Sequence, residues 1–167
     1  PETANTSEMG VQWASGEHRL RSTLFDTRTR DLLLYDMTTW QFSNVSSAKN
    51  QGLETSYNGR VQNTDLRASV TLQNPVNQAT GLRLVRRAKT LASLSVSRDM
   101  GSLKLGGHVR YTGERPDISG KPTLNSSVLL DLTARYALSP EWALLGRIEN
   151  GTDRPDQSAY GYYPLPR

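Results

Sequence analysis

Apolar and polar residues alternate along about eight segments of this chain, and the connections between the segments are alternately short and long. In the segment 102–112 the odd-numbered positions are mostly apolar, as at Leu103 and Val109, whereas the even-numbered positions include Lys104 and Arg110. Because successive side chains of a strand point to opposite faces, each segment predicts a β-strand with one apolar and one polar face. Tight turns at one rim and long loops at the other are typical of a transmembrane β-barrel.

The strand bounds follow from the alternation and from the turn-forming residues between segments. A two-residue connection at 16–17 indicates a hairpin, and the prolines within 113–122 exclude a central strand there. We expect the third strand to be interrupted near 46–50. The predicted strands are 6–15, 18–35, 40–60, 65–73, 86–98, 102–112, 128–138 and 141–150. The predicted longer loops are 36–39, 74–84, 113–122 and 151–167.

Aromatic residues fall near the predicted strand ends, where amphipathic rings lie at a membrane interface. The predicted strands reach about 9 to 11 residues or more, which suits a membrane span better than a soluble β-sandwich. A soluble sandwich that serves as a binding module stays an alternative, and it would bury the apolar face in a core rather than expose it to lipid. The aromatic residues are Trp13, Trp40, Tyr57, Tyr111, Tyr136 and Trp142.

The composition agrees with a barrel and excludes a helical membrane protein. Only 35% of the 167 residues are hydrophobic, and the mean hydropathy is −0.59. No apolar run approaches the roughly 20 residues that a spanning helix needs. In a barrel, by contrast, half of each strand faces an aqueous or plugged lumen and is free to be polar.

The net charge of +4 is spread along the chain, with basic and acidic residues interleaved. Nucleic-acid binding is not expected, because the sequence has no basic stripe with aromatic platforms. One local cluster of cations is interpreted as a solvated or lumenal face, and at an outer rim it can pair with phosphates of lipopolysaccharide. This cluster consists of Arg83, Arg86, Arg87 and Lys89.

The sequence contains no catalytic constellation, so the chain is not expected to be an enzyme. No nucleophile elbow, phosphate-binding loop or zinc-protease helix motif occurs. His18 and His108 lie without a cysteine or carboxylate at metal-ligand spacing, and we interpret both as lumen-facing or surface residues. No resident cofactor or metal is therefore predicted.

Short motifs along the chain resemble the C-terminal barrel of TonB-dependent outer-membrane receptors, and among these the vitamin B12 (cobalamin) transporters most closely. The resemblance covers nearly the whole chain, and the motifs occur in the family's order and spacing. The motifs are PET at 1–3, GVQW at 10–13, NQGLE at 50–54, LVRRAK at 84–89, RIEN at 147–150, TDR at 152–154 and SAYGY at 158–162.

This resemblance implies an all-β, antiparallel transmembrane β-barrel segment of about eight strands within a larger 22-stranded barrel of a Gram-negative outer membrane. Residues 1–167 would then be a partial barrel without the N-terminal plug, without the closing strand and without the family's calcium-binding loops. The implied partners are outer-membrane lipid and lipopolysaccharide, and also TonB and the plug domain in the intact receptor. The implied cargo is cobalamin or a related corrinoid.

The resemblance also implies which residues contact the cargo. The first arginine of LVRRAK and the last tyrosine of SAYGY match positions at the extracellular mouth, and these are Arg86 and Tyr162. A guanidinium donates to carboxamide oxygens in a rigid fork, and a tyrosine ring offers flat apolar area with a hydroxyl. Tyr160, Arg87 and Tyr163 are secondary candidates. The alternative roles are a rim ion pair for Arg86 and an interface ring for Tyr162.

Two further alternatives stay open from the sequence. The chain could form a self-contained small outer-membrane barrel of about eight strands with a structural or adhesion role, since eight is a permitted strand number. It could also belong to a siderophore receptor, because these receptors share the barrel and differ in their loops.

Overall fold

The computed structural model describes residues 2–36, 40–118, 120–153 and 157–162. They form eight β-strands whose alternating sequence pattern leaves one face apolar. Among the described residues, no helix is long and apolar enough to cross a membrane. The strands are β1 (Thr3–Ser15), β2 (His18–Asp36), β3 (Gln41–Val61), β4 (Thr64–Asn77), β5 (Thr90–Met100), β6 (Leu103–Thr112), β7 (Ser127–Ala137) and β8 (Ala143–Ile148).

All eight strands belong to one antiparallel sheet in which each strand pairs with its neighbours in sequence. In the described part of the chain the sheet stays open, with β1 and β8 as its edges. The connections after β1, β3, β5 and β7 are short and lie at one rim, which we call the turn rim. The described parts of the connections after β2, β4 and β6, and of the segment after β8, lie at the opposite rim, the loop rim. The prediction of an all-β antiparallel fold of eight strands is confirmed.

The register gives the sheet one apolar and one polar face. Paired residues of an antiparallel sheet share a face, so the pairs Trp13–Leu20, Leu94–Val109 and Val109–Leu130 extend a single apolar surface across the strands. We call this the outward face; many of its large side chains are exposed, as Met9 is at 76%. The opposite, inward face carries mostly polar residues. On β7 the apolar stretch runs from Val128 to Tyr136, which is about the length that spans a bilayer.

Three predictions about the strands are wrong by the largest margins, and each error has a physical reason; the remaining bounds differ by three residues or fewer. β3 is not interrupted at 46–50, because its pairing with β2 continues through Ala48 and Lys49. β4 extends through Pro75 to Asn77 rather than ending at Gln73. Pro75 has no N–H to donate. The position tolerates proline because β5 begins only at Thr90, so no strand on that side of β4 accepts a hydrogen bond from residue 75.

The third error concerns the start of β5, which was expected at Arg86 and lies at Thr90. Arg86 has a left-handed backbone with φ of 58°, and its N–H donates to the carbonyl of Pro116 at 2.7 Å. A left-handed backbone is not the extended conformation of a strand, and the pairing of β5 with β4 begins only at Thr90. Residues 86–89 therefore belong to the loop that precedes β5.

Packing is concentrated at the loop rim. The described apolar residues that are buried are few, and they lie in the loops or in the parts of the strands near that rim. Among the described residues, the middle of the sheet contributes no buried apolar side chain; the two buried ones on strands, Ala48 and Pro75, lie toward the loop rim. The buried apolar residues are Ala48, Pro75, Ala88, Leu124 and Ala159.

Candidate ligand-contacting rim

Three segments meet at the loop rim: 78–89 after β4, 113–126 after β6 and 157–162 after β8. The backbone of Arg115 exchanges two hydrogen bonds with Leu124, at 3.0 and 2.9 Å, which closes the second segment on itself. The guanidinium of Arg115 is buried and donates to the carbonyl of Gln157 in the third segment. The loops therefore form one packed unit.

Asp117 is the centre of this unit. Its side chain has no exposed surface, and its Oδ1 accepts from Nε of Arg86 at 2.6 Å and from the amide of Ile118 at 2.8 Å. Its Oδ2 accepts from the amide of Tyr160 at 2.5 Å. One carboxylate thus joins all three segments through charge-assisted hydrogen bonds, which are stronger than neutral ones.

These bonds also set the protonation state of Asp117. Burial of the carboxylate raises its pKa, whereas the hydrogen bonds from Tyr160, Arg86 and Ile118 and the positive charge of Arg86 lower it. The lowering contributions win, and the pKa of Asp117 lies below its ordinary value of 3.8. Asp117 is therefore a carboxylate at neutral pH and holds its partners by charge.

Arg86 is fixed at both its backbone and its side chain. The left-handed backbone of a non-glycine residue costs free energy, and here the bonds to Pro116 and Asp117 compensate for that cost. The Arg86 side chain keeps 38% of its surface exposed. Its Nε uses one of the five N–H donors of the guanidinium, so four donors are available for other partners.

Two tyrosines lie in the third segment of this unit. Tyr160 is 47% exposed, and the Nζ of Lys121 lies 5.4 Å from its ring centroid, in cation–π range. Tyr162 follows two residues later and is 66% exposed, and its amide donates to the carbonyl of Ala159 at 3.2 Å. Both rings are therefore presented to solvent at the loop rim.

The predicted contact residues are thus partly brought together. Asp117 joins Arg86 to the backbone of Tyr160, and Tyr162 lies in the same described segment as Tyr160. Arg87 is exposed next to Arg86. Tyr163 lies outside the described residues. That these residues contact a ligand stays a prediction.

Sequence reasoning missed Asp117 and Arg115. Both lie in a loop that was interpreted only through its prolines and glycine, and loops carry no periodic signal for burial. The two residues reach partners 31 to 43 positions away in the chain. The one available signal is local, because the oppositely charged Arg115 and Asp117 flank Pro116 directly.

Side-chain hydrogen bonds through Gln73, which we call the relay, connect the sheet to the first of these loops. Nδ2 of Asn50 donates to Oε1 of Gln73 at 2.8 Å, and Nε2 of Gln73 donates to the carbonyl of Ala88 at 2.8 Å. The relay runs from β3 through β4 to the residues just after Arg86. It therefore anchors the backbone that presents the arginine.

An antiparallel sheet with an apolar outward face, short turns at one rim and packed loops at the other defines a wall segment of an outer-membrane β-barrel. A family model described as "TonB dependent receptor-like, beta-barrel" matches residues 1–150. The chain belongs to this family of TonB-dependent receptors. The family consists of receptors and transporters of the Gram-negative outer membrane rather than enzymes.

The chain is similar in sequence to vitamin B12 transporters. It is 25% identical over 164 residues to the vitamin B12 transporter BtuB of Vibrio vulnificus, with 96% of this chain and 27% of that protein covered. Identity to the corresponding protein of Vibrio cholerae is 24% over 169 residues, covering 97% of this chain and 28% of that protein. The chain thus spans a little over a quarter of the curated relatives it matches.

Solved structures with the same fold include other receptors of the outer membrane. The ferric yersiniabactin uptake receptor FyuA from Yersinia pestis superposes with a TM-score of 0.81 at 18% identity, covering 95% of this chain and 26% of that one. The copper transporter OprC superposes with a TM-score of 0.77 at 17% identity, covering 99% of this chain and 30% of that one. At these identities the likeness establishes the fold.

Proposed function

We propose that the intact receptor containing this chain takes up cobalamin or a related corrinoid across the outer membrane. This segment contributes barrel wall and loops that contact the ligand at the extracellular mouth. The observation that carries the proposal is the sequence similarity to vitamin B12 transporters over 96% of the chain. Uptake would proceed by capture at the loops, followed by rearrangement of the plug that is coupled to TonB.

The chemistry of the loop rim supports this cargo. Because buried Asp117 carries the countercharge of Arg86, the pair presents N–H donors without net charge. Such donors suit neutral carboxamide oxygens, which line the edge of a corrinoid, better than the carboxylates or catecholates of an anionic ferric siderophore. The exposed ring of Tyr162 adds flat apolar area for the macrocycle, with a hydroxyl at its edge.

The test is calorimetric binding of cyanocobalamin to the intact receptor in detergent. Arg86→Ala and Tyr162→Ala are compared with wild type, and we expect Arg86→Ala to weaken binding roughly 10- to 100-fold, as for loss of a charge-assisted hydrogen bond. Matched controls are Arg98→Ala and Tyr136→Ala, which remove exposed residues near the turn rim. Both controls should bind like wild type.

Two results would contradict the proposed cargo, and a third would contradict the proposed contact residues. The cobalamin assignment fails if the folded wild-type receptor does not bind cyanocobalamin, and it fails also if a ferric siderophore binds in its place. If cyanocobalamin binds and both rim variants bind as tightly as the controls, the cargo stands and the contact residues are wrong.

A further inference from the structure

The loop after β6 holds Lys121 in one place. The N–H of Lys121 donates to the carbonyl of Ile118 at 3.1 Å, which closes a turn. Gly120 within this turn has a left-handed backbone with φ of 79°, a conformation that glycine adopts at little cost. Pro122 follows the lysine, and its ring fixes its own φ. The amide of Ile118 also donates to Asp117, so the turn is attached to the centre of the packed loops.

The Lys121 side chain extends over a tyrosine of the segment after β8. Its ammonium group lies 5.4 Å from the ring centroid of Tyr160, and the amide of the same tyrosine donates to Asp117. Both partners of the contact are therefore attached to one carboxylate. A cation over an aromatic face is attracted to the ring but keeps its charge. The contact thus orients the ammonium group without neutralising it.

The carboxylates of the packed loops are bound by other cations. The three segments that meet at the loop rim contain two acids, Glu114 and Asp117. Glu114 lies 3.7 Å from Arg83, and Asp117 binds Arg86. Neither acid, and no other carboxylate in the described part of the chain, lies within ion-pair distance of Lys121. Because Lys121 is also exposed, its charge is open to a ligand.

The loop rim thus presents two chemically different kinds of donor. At Arg86 the countercharge of Asp117 leaves N–H donors without net charge, and these suit neutral oxygens. At Lys121 the donor keeps its full charge, which suits an anion. A ligand that satisfies both has several neutral oxygens and one localised negative charge. The carboxylates or catecholates of an anionic siderophore meet only the second requirement.

We propose that Lys121 binds the phosphodiester of a complete corrinoid, the group that joins the macrocycle to its nucleotide base. This inference rests on the proposed function, because a corrinoid combines neutral carboxamides with that single anionic group. Lys121 is then a specificity-determining residue, which makes the receptor prefer corrinoids that carry the phosphate to those that lack it. The Tyr160 ring holds the lysine in place before the ligand arrives, which reduces the entropy lost on binding.

The test measures calorimetric binding of three corrinoids to the intact receptor in detergent. The probes are cyanocobalamin, cobinamide, which lacks both phosphate and base, and cobinamide phosphate, which has the phosphate without the base. The last two are used in the dicyano form, so that they differ only in the phosphate. The variant is Lys121→Gln, which removes the charge. Lys104→Gln is the matched control, because Lys104 is an exposed lysine on the inward face near the turn rim.

We expect wild type to bind cobinamide phosphate about three- to fivefold more tightly than cobinamide, as for an exposed ion pair. Lys121→Gln should remove this preference and weaken cyanocobalamin binding by about the same factor. Its binding of cobinamide should equal that of wild type, which also shows that the variant is folded. Lys104→Gln should keep the preference.

The outcomes separate this inference from the proposed function. Equal binding of cobinamide and its phosphate to wild type, a comparison that needs no variant to fold, would overturn the inference while the corrinoid cargo stands. Unchanged cyanocobalamin binding in Lys121→Gln would also overturn it, and so would an equal loss of affinity for all three corrinoids. If wild type binds none of the three, the proposed function fails and the inference fails with it.

Discussion

His18 and Tyr57 are joined across β2 and β3 by a 2.7 Å hydrogen bond between Nδ1 and the phenol oxygen, with their ring centroids 6.1 Å apart and their planes inclined by 21°. The tyrosine folds over Gly59, two residues further along β3. A Cβ at Gly59 would collide with the Tyr57 hydroxyl and with Nδ1 of His18. The pair therefore requires the glycine.

Gly59→Val should destabilise the barrel by about 1–3 kcal/mol, because the added side chain displaces the Tyr57 ring and breaks its bond to His18. The measurement is the urea dependence of folding of the intact receptor into lipid vesicles. The matched control is Gly146→Val on β8, where a Cβ has no neighbour within 4 Å. Equal unfolding midpoints for the two variants would contradict the packing described for Tyr57.

The loops joined by Asp117 should loosen in acid. Because the pKa of Asp117 is lower in the folded chain than its ordinary value of 3.8, the ionised carboxylate contributes stability above that value. The contribution is lost as the pH falls through the folded pKa. We expect the amides of Ile118 and Tyr160 to be protected from hydrogen exchange at pH 7 and pH 5, and to lose protection only as the pH falls through the folded pKa of Asp117, below its ordinary value of 3.8.

The matching variant is Asp117→Asn, which should lose this protection at every pH because the amide side chain carries no charge for Arg86. Asp99→Asn, in the turn rim, serves as the control and should leave the exchange of Tyr160 unchanged. The exchange rates are corrected for the intrinsic effect of pH. Wild-type protection of Ile118 and Tyr160 in Asp117→Asn at pH 7 would rule out the carboxylate as the joint between the loops.

The sheet was predictable from sequence where one face meets lipid. In β6 the alternation of apolar and polar residues holds throughout, and in β7 it is broken at Leu129; the observed bounds differ from the predicted ones by about one residue. β3 near Ala48 lies beyond the apolar band, where both faces carry polar residues and no alternation is required. The strand is continuous there because it pairs with β2, although the sequence predicted an interruption near 46–50.

The candidate site was predictable only in part, because the residue at its centre lies where the sequence has no periodic pattern. The motifs that contain Arg86 and Tyr162 pointed to the loop rim, and the structure does lay their segments together there. The residue that joins them, Asp117, has its partners far away in sequence and lies in a loop without periodicity. Burial of such a carboxylate follows from tertiary packing, which no local pattern encodes.

The relay through Gln73 gives a test of how the sheet supports the loop. Gln73→Leu leaves Nδ2 of Asn50 and the carbonyl of Ala88 without their partner, which should cost about 1–3 kcal/mol. Gln73→Glu keeps the acceptor for Asn50 and places a carboxylate against the Ala88 carbonyl, so it should loosen the loop as well. Hydrogen exchange of the amides at 86–89 is the measurement.

A matched control for the relay is Thr71→Leu, a polar-to-leucine substitution at the preceding inward-facing position of β4. It should leave the exchange at 86–89 as in wild type. If Gln73→Leu also leaves that exchange unchanged, the loop is held by Arg86 and its partners alone.

The assignment of the two faces of the sheet is tested by placing the same charge on each. Val96 lies in the middle of the outward stretch of β5, so Val96→Arg should destabilise the barrel by about 2–4 kcal/mol. Ser97 points inward, opposite Asp65 in the register, and Ser97→Arg gains an acidic neighbour there. Folding into lipid vesicles should therefore distinguish the variants, with Ser97→Arg within about 1 kcal/mol of wild type. A larger cost for Ser97→Arg than for Val96→Arg would mean that the outward and inward faces are reversed.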